Sequence, residues 1–184
     1  MNTRIVRFAT VFISSIFLIA CSSLPEDLKS DNPNIVTDYA AWQQSANSSD
    51  EVRVGGVIAK VTNLENRTRI EVVNLPISSS GKPDIKQEPK GRFVGYVDGF
   101  ADPVTLSEGR LITLLGKADG TEKNKVGEFD YDFPVMAISN YHLWRIEERV
   151  IVHDTPTHLY PCRGLYCRDI NYGNRSGRVI QEVK

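Results

Sequence analysis

Cys21 carries the most definite chemistry in the chain. It follows Leu18-Ile19-Ala20 at the end of an apolar run that begins after Arg7. A thiol in this setting takes a diacylglyceryl group. A peptidase then cuts in front of it, and the freed amine is usually acylated as well. Arg4 and Arg7 form a short basic leader, Phe8 to Ala20 the apolar stretch, and small Ala20 the cleavage position, so residues 1–20 read as a lipoprotein-type signal peptide. The stretch is shorter than the roughly 20 residues of a spanning helix. One acyl chain holds a protein marginally and two hold it stably. The expectation is a chain anchored to a membrane through Cys21 without crossing it. Ser22 and Ser23 follow the cysteine. In didermal sorting an Asp next to the cysteine retains the protein at the inner membrane. Serine there predicts transport to the inner leaflet of the outer membrane, with the body in the periplasm.

His153, His158, Cys162 and Cys167 are a second set of reactive residues, close together in the tail. Zinc accepts Cys₂His₂ sets, but this spacing is loose and the expected compartment oxidises thiols. A disulfide between Cys162 and Cys167 is the favoured reading, with free thiols and a zinc site as alternatives. Its short loop limits the stabilisation to about 2 kcal/mol. A nucleophilic cysteine needs a positioned base and a lowered pKa, and nearness in sequence to a histidine supplies neither. There is no Gly-x-Ser-x-Gly elbow and no phosphate-binding Gly-Lys-Ser/Thr loop. His142, between Tyr141 and Leu143, reads as a packed or hydrogen-bonded histidine, with a pH-sensing role as the alternative. No catalytic residue, metal or cofactor is expected.

The chain has 22 basic and 23 acidic residues, for a net charge of −1. Removing Arg4 and Arg7 with the leader leaves 20 against 23, or −3. That balance argues against nucleic-acid binding, which shows as a basic patch or high pI. The mature length suits one domain with tails.

The elements that must position these residues are mostly strands. Residues 21–34 read as a polar, flexible lipidated tether. Ile35 to Gln44 holds a short helical turn with Tyr39 and Trp42 on one side. Val52 to Thr62 is a first strand, whose Gly55-Gly56 marks a bulge, bend or close backbone approach. Thr68 to Leu75 is a second, alternating strand, with a slip at Val73 consistent with a bulge. Pro76 ends it, and a long polar loop runs to Lys90. Further strands are expected at Gly91 to Asp98, Arg110 to Ala118, with a turn at Asp119-Gly120, and Val126 to Phe133. Val135 to His153 reads as one or two strands, with Tyr141, Leu143, Trp144 and Ile146 as core candidates. Arg178 to Val183 reads as an edge strand.

Short strands with turn residues between them predict an all-β domain over residues 35–153 and an extension over 154–184. The bent, glycine-bearing first strand favours a small antiparallel barrel of OB-fold type, with extra C-terminal strands; a sandwich is the alternative. The rings of Phe93, Tyr96, Tyr131, Tyr141 and Trp144 fill such a core or, if exposed, form a stacking platform. Arg69, Arg92 and Tyr96, with Arg67, are the candidate ligand face, suited to a glycan such as peptidoglycan.

Several stretches, in this order, resemble the Slp family of outer-membrane lipoproteins. They are Val54-Gly55-Gly56-Val57-Ile58, Thr68 through Pro76 (TRIEVVNLP), Ser80-Gly81-Lys82-Pro83, Gly91-Arg92-Phe93, Tyr96-Val97-Asp98-Gly99-Phe100 with Asp102-Pro103, Phe133-Pro134-Val135 and Tyr141-His142-Leu143-Trp144. With the lipid-box residues they cover most of the chain to about Arg149. The resemblance implies an outer-membrane lipoprotein of a family named for a starvation-inducible member, and it transfers no catalytic residue. The reading is therefore a non-enzymatic envelope protein, structural, protective or partner-binding. Its candidate partners are the membrane, peptidoglycan and other envelope proteins. The alternative is a glycan or small-ligand binding module, with a hydrolase behind it.

Overall fold

In the computed structural model, residues 23–45, 49–152 and 177–184 are described. Five strands close into a barrel: β1 (Glu51–Asn63), β2 (Arg67–Leu75), β3 (Gly91–Asp98), β4 (Leu111–Val126) and β5 (Phe129–Trp144). Around the ring the order is β1-β2-β3-β5-β4, with β4 pairing back onto β1. All pairings are antiparallel except β3 with β5, which run parallel through Val94↔Val135 to Tyr96↔Ala137. This is the small OB-fold-like barrel expected from the bent first strand. Closure removes the sheet edges that would otherwise template aggregation. Two further strands, β6 (Ile146–Val152) and β7 (Gly177–Val183), pair with each other as a separate ribbon.

Alternation sends the even residues of β1 and β2 inward. Val52, Val54, Ile58, Ile70 and Val72 join Phe93, Ile112, Leu114 and Met136 in the barrel core. Gly56 is required where the walls meet closely: a Cβ there would lie 1.9 Å from the Val73 carbonyl oxygen. The short helix α1 (Tyr39–Gln44) plugs the core. Trp42 and Tyr39 meet edge-on, and Trp42 stands edge-on to Phe93 at 5.4 Å. The Asp38 carboxylate caps α1 by accepting from the Ala41 N–H at 3.0 Å.

The barrel also has an outer core. On the outward face of the β1–β4 wall, Val57, Leu111 and Leu115 pack with Leu75, Trp144, Leu24, Leu28, Ile35, Ile85 and Val183. The cover comes from the N-terminal strap (24–35) and the long loop 76–90.

Several expectations need correction. From Leu24 on, the stretch read as a free tether is docked. Leu28 is fully buried, its carbonyl accepts from Arg53 Nη1, and Val36 bridges to Val52 beside β1. Two leucines are enough apolar area to fasten an otherwise polar segment. Asp119-Gly120 does not end the fourth strand. Gly120 takes φ +80°, the ladder slips between Ala118 and Thr121, and pairing resumes to Val126. A glycine able to enter the left-handed region makes a bulge as readily as a turn. The real reversal is at Gly127, φ +62°, so the strand expected over Val126 to Phe133 is split between β4 and β5. The slip near Val73 belongs to the partner strand: the register of β1 shifts between Ile58 and Lys60. Val135 to His153 resolves into the end of β5 and β6, and Ile146, expected in the core, is exposed.

Candidate functional site

Two constellations gather polar and aromatic side chains. The first lies on the outward face of β2 and β3. Odd-numbered Arg69 and Glu71 and even-numbered Arg92 and Tyr96 point away from the barrel core, so the three residues expected as a ligand face share one surface. The extended β4–β5 arm lays Glu122 and Phe133 across it. The Arg69 guanidinium donates to Glu122 Oε1 through Nε and Nη2, at 2.9 and 2.7 Å, and to Glu71 through Nη1 at 3.3 Å. Arg92 Nη1 donates to the other oxygen of Glu71 at 2.7 Å, and the Tyr96 hydroxyl donates to Glu122 Oε2 at 2.6 Å. Arg67 stacks over the Tyr96 ring and Arg69 over Phe133. Two arginines and two glutamates thus alternate across three strands, with Tyr96 at one end.

Burial shapes their ionisation. Burial alone would pull the Arg69 guanidinium down, but its bonds to Glu122 and Glu71 outweigh this and hold it above its ordinary value. Burial, then the bond to Glu122, pushes the Tyr96 phenol up, so it stays a neutral donor. Tyr39 is raised further by burial and by Tyr131, and its hydroxyl donates to the Arg92 carbonyl. Arg69 is only 9% exposed and Phe133 fully covered, so this face is occupied by the chain's own arm. A ligand would find the polar atoms of Arg69 and Tyr96 already engaged. Glu122 was not anticipated from sequence, because 53 residues separate it from Arg69.

The second constellation clasps loop 76–90 and the strap onto the outer core. Trp144 Nε1 donates to Thr113 Oγ1 at 2.9 Å, and that hydroxyl donates to the Gly81 carbonyl at 2.6 Å. Gly81 adopts φ +81° with Leu24 and Leu28 against its bare Cα. The Ser80–Pro83 and Tyr141–Trp144 stretches therefore meet through Thr113, which the sequence did not single out. His142 reaches Asp27 of the strap at 3.3 Å and stands edge-on to Trp144. Arg53 holds the strap from beneath, and Ser30 donates to Glu51.

Ala20, Cys21, His153, His158, Cys162 and Cys167 lie outside the described residues. Among the described residues no group of three or more metal-type ligands occurs.

The model of the Outer membrane lipoprotein Slp family matches residues 18–172. The chain belongs to the Slp family of outer membrane lipoproteins. It is 30% identical over 145 residues to the Escherichia coli "Outer membrane protein Slp", covering 77% of each chain. To the Escherichia coli "Uncharacterized lipoprotein YeaY" it is 29% identical over 144 residues, covering 77% of this chain and 74% of that one. An uncharacterised Haemophilus influenzae protein is 43% identical over 107 residues, which span 58% of this chain and little more than half, 56%, of the relative. No solved structure matches. The Slp-family match starts at Leu18, within the apolar run before Cys21, and so takes in the Cys21 region as well as the barrel.

Proposed function

We propose that this Slp-family chain is held at the inner leaflet of the outer membrane by acyl groups on Cys21, with its barrel in the periplasm. There it serves a non-enzymatic structural or partner-binding role. The observation that carries this reading is the strap. Only three residues after Cys21, Leu24 is already packed in the outer core, so a lipid on Cys21 would hold the barrel close to the bilayer surface. The polar cluster that most resembles a site, around Arg69 and Glu122, consists of matched ion pairs beneath a covering hairpin. It lacks an exposed nucleophile or a free acid–base pair.

Protease treatment of intact cells, before and after the outer membrane is permeabilised, tests the orientation. Protection followed by digestion in the outer-membrane fraction is the expected result. Digestion in intact cells would place the barrel outside, and recovery in the inner-membrane fraction would refute the sorting reading.

A further inference from the structure

The β6–β7 ribbon is the least buried part of the described chain. Val150 is 60% exposed, Val179 57% and Ile146 47%, with Ile151 and Ile180 also exposed. A two-stranded ribbon without a packed face is marginal in water, and grouped exposed apolar side chains mark a binding or membrane-contact surface. Its pairing is informative. Arg149 lies opposite Ile180 and Ile151 opposite Arg178, so two guanidinium groups and two isoleucines form a checkerboard at the outer end of one face; Glu147 and Glu182 share that face nearer the barrel, where Lys184 pairs with Glu147, and Val150 and Val179 point to the opposite face. Aliphatic side chains bury in the headgroup boundary while arginine tips reach phosphate, which is the composition of an interfacial surface. Loop 76–90 lies beside β7 and brings Lys82 and Lys86 next to the ribbon.

The ribbon's position selects the occupant. It springs from Trp144, and at that same base Val183, paired with Ile146, packs in the outer core with Leu24. Three peptide links separate Leu24 from Cys21, at most about 11 Å between Cα atoms. We propose that the β6–β7 ribbon and loop 76–90 are a membrane-contact surface, laid on the anionic phospholipid of the leaflet that holds the acyl chains. The proposal rests on the anchor reading above. It adds that the barrel is oriented by a second, non-covalent contact.

Full-length lipidated protein carrying Ile180→Trp, or Ile151→Trp, would be reconstituted in vesicles of phosphatidylethanolamine and phosphatidylglycerol. The same lipids with bromine high on the acyl chains would serve as the quencher. Trp42 and Trp144 are buried and provide the unquenched background. The expected result is a loss of the added tryptophan's fluorescence in brominated vesicles. The loss should shrink when Arg149→Glu and Arg178→Glu are added. Phe100→Trp, at an exposed loop position, should be quenched less. A blue shift without quenching would mean that protein, including a second copy, covers the ribbon, and would overturn the proposal. So would an unshifted, unquenched probe. Intact mass of the same preparation separates the two claims: acylated protein without quenching defeats the ribbon contact alone, and unacylated protein defeats the anchor.

Discussion

Thr113 is the residue on which the outer core turns. Its hydroxyl accepts from Trp144 and donates to Gly81, with all three groups out of contact with water. Thr113→Val keeps the shape and strands both partners, at a cost of about 2 kcal/mol; urea unfolding followed by tryptophan emission would measure it. Arg69 sits under a stricter constraint. Removing Glu122 as Glu122→Ala leaves a buried guanidinium with half its partners, and the expected loss is about 3 kcal/mol. Arg69→Met with Glu122→Leu and Tyr96→Phe should recover most of that loss, because no hydroxyl is then stranded and Glu71 keeps Arg92; a double-mutant cycle on Arg69 and Glu122 reads their coupling. The sequence displayed Arg69 and Glu71 as the solvent side of an alternating strand, and that side is indeed the one facing away from the core. It could not display Glu122, whose approach depends on the arm curling back over β2. Composition likewise conceals how Leu24 and Leu28 fasten a polar strap, because two leucines among charged residues set up no period.

Among the elements, β1, β2 and β3 were legible almost to the residue. Each is rich in β-branched or aromatic residues and ends at or next to residues that favour turns, such as Asn63, Pro76 and Asp98. The β4–β5 arm was not. Gly120 and Gly127 look equivalent in sequence, and only pairing across the arm makes one a bulge and the other the reversal. The helix α1 offers a pH test. The Ala41 N–H first, and then Lys90, hold the Asp38 carboxyl below its ordinary value of about 3.8. A depressed folded pKa stabilises fully above the unfolded value and is lost as the pH falls through the folded one. Asp38→Asn, which caps without ionising, should therefore flatten the acid limb of the stability curve below about pH 4, whereas Asp38→Ala should cost about 1 kcal/mol at neutral pH. Thermal melts across pH would show both. In β1, Gly56→Ala drives a methyl into the Val73 carbonyl. An expected loss of about 3 kcal/mol or more would appear as a lower urea midpoint or insoluble protein.

For the molecule as a whole, the barrel, strap and ribbon converge on one side. The long loop 76–90, which sequence marks only as polar, is folded onto the barrel wall and shares the outer core with the strap. With acyl groups on Cys21, as proposed, that arrangement would hold the barrel against the leaflet with little freedom to swing. Its ion network is matched internally, and the β2–β3 face is covered by the chain's own arm. The most direct measurement is the mass of the amino-terminal peptide released from the native membrane protein. The account predicts a peptide beginning at Cys21 and carrying acyl groups, with Cys21→Ser abolishing both the adduct and retention in the outer-membrane fraction. An unmodified amino terminus, or a Cys21→Ser protein that still sediments with outer membranes, would contradict it.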